Sequence, residues 1–292
     1  MSVAELPSPG SSIKRKPRLR TARDRIRRRG RMLTERRASQ RPPSWLSLPY
    51  ECLVYYGGLL LFATMCLTWS LVAVPLGLLL PKRTGVKLGR LAIMFGFRAY
   101  LHFLELSGII KCDLSALDGL DRERSLIIAA NHPSLIDVVL IVSRLPNAVC
   151  IIKANLWNQL IFGGSARLAG YIRNISQARL IVDATQELQA GSDLLVFPEG
   201  TRTIGNAVQP FKGGFALIAK RAQAPVQIVL IEINQLFLCK GCSLLKKPDF
   251  PLVFQARLGE RFLPPVEIRP YVSRMEQYCR DQLAGNDPGV PR

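Results

Sequence analysis

Acidic residues and histidines are scarce in this 292-residue chain: 21 Asp/Glu stand against 40 Lys/Arg, and His102 and His132 are the only two histidines. So few imidazoles exclude a histidine-rich metal centre. Cysteine offers little more. The seven cysteines at 52, 66, 112, 150, 239, 242 and 279 are an odd number, and several lie inside apolar runs. That pattern fits reduced thiols in a cytoplasmic protein and excludes a disulfide framework. Cys239-Lys-Gly-Cys242 has metal-like spacing, but no second such pair or nearby histidine completes four ligands, so no metal site is expected. The chain also lacks Gly-x-Ser-x-Gly, the turn that exposes a nucleophilic serine. Helix-turn-helix, zinc-finger and RNP-like patterns are absent as well, so nucleic acid is not an expected partner.

Positive charge, in contrast, is abundant. The net charge of +19 and pI near 10.2 point to a polyanionic surface or a phosphorylated substrate. Residues 1–45 hold fourteen Lys/Arg, including "RDRIRRRGRMLTERR", against three acidic residues and almost no large apolar ones. Such a segment cannot bury enough surface to offset its ordering entropy and reads as a disordered basic tail. Met32 is an alternative start within it. Between Glu51 and Lys82 no charge occurs over thirty residues, "CLVYYGGLLLFATMCLTWSLVAVPLGLLLP". That exceeds the roughly 20 residues of one membrane span and falls short of two. Both flanks are basic, which places both on the cytoplasmic side. A re-entrant anchor satisfies this, with Gly57–Gly58, Pro75 and Gly77 as its bends. An amphipathic helix then follows, so residues 46–110 read as a membrane-associating helical region. His102, ringed by apolar and aromatic neighbours, reads as a packing or interfacial residue.

From about residue 120 the texture changes. Short β-branched runs, "SLIIAAN" (125–131), "AVCIIKA" (148–154), "DLLVFPE" (193–199) and "PVQIVLIEI" (225–233), alternate with helical patterns near 134–144, 155–168, 178–190 and 212–223. A further strand at 254–262 and a closing helix at 270–284 complete the order. Strands alternating with helices predict an α/β fold with a largely parallel central sheet flanked by helices. This domain spans 111–285, leaving 286–292 as a C-terminal tail.

Two strand ends carry chemistry. "AANHPSLIDVVL" puts His132 just beyond a strand and Asp137 one turn into the following helix, where open α/β sheets place their binding sites. A helix start containing an imidazole explains the stretch equally well on its own. The second strand end, "LLVFPEGTRTIGNAVQPFKGGF", groups Glu199, Gly200, Thr201 and Arg202. Gly200 lets a ligand approach the backbone and Arg202 suits a phosphate.

Together Asn131-His132…Asp137 and Phe197-Pro198-Glu199-Gly200-Thr201-Arg202, followed by Phe211-Lys212-x-Gly-x-Phe, resemble the first and third motifs of the glycerolipid and lysophospholipid acyltransferase superfamily. The resemblance covers roughly residues 85–270. It implies an O-acyltransferase that moves a fatty acyl group from a thioester, acyl-CoA or acyl-ACP as co-substrate, to a lysolipid hydroxyl, with no bound cofactor. It assigns His132 as general base, Asp137 as its orienting partner, and Glu199, Gly200, Thr201 and Arg202 to the acceptor. Arg173 in "LAGYIRNIS" fits the second motif loosely, and Lys153 in "IIKANL" is a further candidate anion ligand; the fourth motif keeps Pro225 and lacks its second proline. These departures leave the acceptor open between a lysophosphatidic acid and a specialised hydroxylated acceptor, such as an amino-acid lipid or a polyene pigment. A serine-type lipid esterase using Ser134 is the alternative activity. The expected location is the cell membrane, with membrane lipids as partners and the catalytic domain on the cytoplasmic face.

Overall fold

The computed structural model describes residues 44–203 and 208–284. The basic tail expected over 1–45, up to residue 43, and the C-terminal tail at 286–292 lie outside the described residues. The chain divides after Tyr50, and the unit from Glu51 onward holds every contact described below.

The uncharged run forms one unbroken helix, α1 (Ser44–Leu79). Residues Leu48–Leu79 are apolar enough to cross a membrane by length and composition; at 1.5 Å per residue they extend roughly 48 Å. The bends expected at Gly57–Gly58, Pro75 and Gly77 are therefore corrected. A helical glycine costs about 1 kcal/mol, less than leaving backbone groups unpaired in apolar surroundings. Gly58 instead permits close packing, since a Cβ there would stand 3.2 Å from Leu104. The chain turns at Leu80–Pro81, and α2 (Lys82–Leu106) returns against α1 through Phe62–Phe97 and Phe62–Tyr100 contacts. α1 and α2 thus form a helical hairpin.

Seven strands follow: β1 (Ile110–Asp113), β2 (Ile127–Ala130), β3 (Ala148–Lys153), β4 (Ile172–Asn174), β5 (Asp193–Val196), β6 (Val226–Ile233) and β7 (Leu252–Phe262). They form one sheet in the order β1-β7-β6-β2-β5-β3-β4. Every pairing is parallel except β6–β7, in line with the largely parallel sheet expected. Alternate residues of β2 face opposite layers. Ile128 and Ala130 join the apolar cluster that includes Tyr55, Ile93, Tyr100 and Leu104 of α1 and α2. Ile127 and Ala129 join a second cluster, with Ile181, Ala184, Phe215, Ala216 and Met275.

The helices after α2 are α3 (Asp137–Val142), α4 (Ala154–Trp157), α5 (Gly163–Leu168), α6 (Gln177–Gln189), α7 (Gly214–Ala222) and α8 (Ile268–Ala284); α3 packs into the first cluster, and α6, α7 and α8 cover the second. The single helix expected over 155–168 is interrupted between α4 and α5. The short strands β1 and β4 carry too little pattern to be read from sequence.

Arg90, in the middle of α2 and only 6% exposed, ties that helix to the sheet. Its guanidinium donates to Ala169 O (3.0 Å), Asn147 Oδ1 (2.9 Å), Ser192 Oγ (2.8 Å) and Glu187 Oε2 (2.9 Å). A planar fork with several donors suits such a hub. Gly89 beside it allows contact with the Ala169 backbone, 2.8 Å from where a Cβ would sit. The structure also corrects the expectation of reduced thiols at one point. Cys239 and Cys242 are joined as a disulfide, their Cα atoms 5.1 Å apart, within the range that permits bridging. Cys52, Cys66, Cys112, Cys150 and Cys279 are free.

Candidate active site

β2 ends at Ala130, but its pairing with β6 continues one residue further through a side chain. Asn131 Nδ2 donates to Ile231 O (2.9 Å), and Ile231 N donates to Asn131 Oδ1 (2.7 Å). This clamp fixes where the chain leaves the sheet, and His132 emerges immediately after it. Pro133 and Ser134 turn the chain into α3, whose first residue is Asp137.

His132 Nδ1 lies 3.0 Å from Asp137 Oδ2. The same oxygen accepts the Ser134 backbone N–H at 2.7 Å. Asp137 is fully buried, while the His132 side chain is 13% exposed. Burial pushes the Asp137 carboxyl up to about 6, against the lowering effects of the His132 hydrogen bond and charge and of the Ser134 N–H. The imidazole also stacks on Phe197, ring centroids 4.0 Å apart at 18°. One face of the ring is thereby covered by an apolar surface, and with Nδ1 bonded to an ionised carboxylate the proton sits on Nδ1. Nε2 is left as the acceptor.

The Glu199 turn is stitched to this stretch. Thr203 N donates to His132 O at 2.7 Å, and His132 N donates to Glu199 Oε1 at 3.3 Å. Glu199 is 2% exposed, and its carboxylate also accepts Thr203 Oγ1 (2.9 and 3.1 Å) and Gln209 N (3.0 Å). It faces inward as the clasp between two strand ends. Gly200 adopts φ +68°, a conformation that favours glycine, and the mobile end of the Lys212 side chain lies over it. Thr201 is half-buried beside them. Arg202 Nη1 donates to Leu238 O (2.7 Å) and Cys239 O (3.0 Å), anchoring the loop after β6; Leu238 O also accepts Leu135 N.

Lys153 and Arg173 stand further away. They occupy the ends of β3 and β4, two and three strands from β2 in the sheet order. At about 4.8 Å per strand the backbones are roughly 10 and 14 Å from that of His132. Lys153 is exposed, and Arg173 Nε is buried with no partner among the described residues. The structure thus brings His132, Asp137 and the Glu199–Arg202 turn together, and sets Lys153 and Arg173 on the same sheet edge at a distance. Phe197, Asn131 and Thr203 gain roles that only contacts reveal. Phe197 and Asn131 sit inside the two motifs, so adjacency to His132 and Glu199 was their available signal.

Residues 111–232 match the family model described as Acyltransferase. The matched segment contains His132, Asp137, Lys153, Arg173 and the Glu199–Arg202 turn. Among relatives, the chain is similar to 1-acyl-sn-glycerol-3-phosphate acyltransferase alpha of Bos taurus, 27% identical over 176 residues and 57% of each chain. It is also similar to the 1-acyl-sn-glycerol-3-phosphate acyltransferase of Helicobacter pylori, 30% identical over 157 residues, 51% of this chain and 65% of the relative. A lyso-ornithine lipid O-acyltransferase of Rhizobium meliloti is 30% identical over 120 residues, 39% of this chain and 41% of the relative. The chain therefore spans little more than half the length of the bovine relative and under two thirds of the bacterial ones. The crystal structure of the 1-acyl-sn-glycerophosphate acyltransferase from Thermotoga maritima has the same fold, with a TM-score of 0.61 at 20% identity over 83% of this chain and 97% of that one.

Proposed function

We propose that this protein is a membrane-associated O-acyltransferase that moves a fatty acyl group from a thioester to a hydroxyl of a lysophospholipid or related lipid. The observation that carries the reading is the contact between His132 Nδ1 and the buried Asp137 carboxylate, 3.0 Å long, at the strand edge of an acyltransferase domain. His132 Nε2 takes the proton of the acceptor hydroxyl as its oxygen attacks the thioester carbonyl. Asp137 holds the ring and stabilises the imidazolium that forms. Collapse of the tetrahedral intermediate expels the thiolate, which recovers the proton from His132. The donor is acyl-CoA or acyl-ACP, and no bound cofactor enters this scheme.

Arg202 is the acceptor-phosphate ligand in this reading: one of its nitrogens is committed to loop carbonyls, and the rest of its fork remains for an anion. Glu199 and Gly200 shape the turn that carries Thr201 and Arg202. Lys153 and Arg173, on the same edge, extend the cationic surface toward a larger head group or the donor. The apolar α1 supports membrane association, with the domain on the cytoplasmic face. A second acceptor class, an amino-acid lipid, is favoured by the similarity to the lyso-ornithine lipid enzyme and by the loose second motif. The serine-esterase alternative is disfavoured by Ser134, which is fully buried with its N–H bound to Asp137.

The test is acyl transfer by membranes carrying the full chain, with labelled acyl-CoA or acyl-ACP offered to a panel of lysophosphatidic acid, other lysophospholipids and lyso-ornithine lipid. His132→Ala should lower turnover by about 10²–10⁴-fold. Near-normal acylation by that variant, or release of free fatty acid as the sole product, would refute the proposal.

A further inference from the structure

A second concave site lies on the sheet edge opposite His132. β1 runs antiparallel to β2, because it is parallel to β7, β7 is antiparallel to β6, and β6 is parallel to β2. α3 starts at the His132 edge and ends near Arg144, about 10 Å further along at 1.5 Å per residue. There a groove of about 400 Å³ opens between α2, β1 and the end of α3. Its walls include Phe95, Arg98, His102 and Glu105 of α2, Leu114, and Arg144.

The chemistry of the walls is mixed in a particular way. Two guanidinium groups and an imidazole stand beside aromatic and aliphatic surface. Arg98 Nε donates to Ser143 O (3.2 Å), which fixes its plane at the groove. Arg144 Nη1 pairs with Asp118 (3.0 Å), using one donor of five. The wall's carboxylate, Glu105, is engaged by the Cys112 N–H (3.1 Å). The groove opens beside a row of exposed apolar side chains along α2, at Leu88, Leu91, Phe95, Phe103 and Leu106. Their spacing of three, four, eight and three residues keeps them near one face of the helix. A soluble phosphate has no use for that apolar row, whereas a phospholipid satisfies both parts at once.

We propose that this groove binds the head-group phosphate of an anionic membrane phospholipid, with the acyl chains lying along the exposed row of α2. The lipid there is a bound ligand of the enzyme, separate from the substrates at His132. Planar guanidinium forks grip a phosphate with charge-assisted hydrogen bonds, and Phe95 contributes the apolar flank shared by the groove and the row.

The experiment uses the full chain in detergent micelles, titrated with dioctanoyl phosphatidylglycerol, dioctanoyl phosphatidylcholine and glycerol phosphate by calorimetry. The anionic lipid should bind at least tenfold more tightly than the other two. Arg98→Gln with Arg144→Gln should weaken its binding by about tenfold or more, the loss of charged hydrogen bonds. Ala99→Trp keeps both charges and occupies the groove from an exposed position that leaves folding intact; it should weaken binding as much. Equal affinity for phosphatidylcholine, equal affinity for glycerol phosphate, or unchanged binding in Ala99→Trp would overturn the proposal. Loss of binding in Arg202→Gln, with the groove variants unaffected, would assign the lipid to the His132 cleft and overturn it as well. Because binding is measured without turnover, this outcome is independent of the acyl-transfer assay.

Discussion

Asp137→Asn separates positioning from packing more cleanly than any other single change. The asparagine has the same shape, and its oxygen can occupy the place of Oδ2, accepting from Ser134 N as now. What disappears is the charge facing His132 Nδ1. A hydrogen bond to a charged group contributes about 1.5–3 kcal/mol net, and each 1.36 kcal/mol is a factor of ten in rate. Loss of charge alone therefore predicts a fall of about 10–100-fold. Because Ser134 N holds the amide oxygen in the place of Oδ2, Nδ1 keeps an acceptor and the expected fall in kcat stays at about 10–100-fold. Stability should move much less. Burial raises the Asp137 carboxyl from its ordinary value to about 6, so the folded state holds this proton more tightly than the unfolded one. Its contribution to stability is then full below the unfolded value of 3.8 and is lost as pH rises through about 6. At pH 8 the native carboxylate is a buried charge with a net cost, which asparagine removes. The unpaired amide hydrogens cost about 1–3 kcal/mol in return, since Asp137 Oδ1 has no partner among the described residues. The two effects offset, and thermal unfolding at pH 8 should shift little while kcat collapses. Wild-type turnover should also fall on acidification below about pH 6, where Asp137 takes up a proton. Steady-state acyl transfer at pH 8, alongside thermal unfolding, decides the matter. A variant within tenfold of wild-type kcat, or one whose lost activity follows unfolding, would refute the orienting role.

Glu199→Gln probes the clasp. Its carboxylate accepts from His132 N, Thr203 Oγ1 and Gln209 N, so an amide there should destabilise the fold by about 1–3 kcal/mol, read as a lower Tm. An unchanged Tm with a raised KM for the acceptor would return Glu199 to direct acceptor binding. Arg90→Met removes the hub between α2 and the sheet and leaves Glu187 with only the Ser192 hydroxyl. A loss of about 1–3 kcal/mol in denaturant unfolding is expected from the buried acceptors left unmet, with no rescue by Arg90→Lys, because one ammonium cannot span four acceptors. Full stability in either variant would show that the network is incidental.

Much of this molecule is written locally. The β-branched runs ending at Asn131 and Pro198 announce buried parallel strands, and their polar ends mark where a site must lie. The uncharged stretch from Cys52 to Pro81 marks an apolar helical region. These features depend on neighbours a few residues apart, so period and composition suffice to read them. The family motifs add residue identities to the same two strand ends.

The rest depends on contacts across long separations. Whether Gly57, Gly58 and Pro75 bend the chain turned on what packs against them, and Leu104 over Gly58 favoured a continuous helix. The partners of the Glu199 carboxylate, among them His132 N 67 residues away, are visible only in the folded chain. Arg90 acquires its role as a hub from acceptors on three separate segments, 57 to 102 residues on. Sequence determined by itself where the strands end and which side chains of catalytic type stand there, because secondary structure and polarity are local. Tertiary structure alone decided which of those side chains face outward to meet a substrate and which are consumed in holding the site together, because a polar group's role is set by the partner that satisfies it.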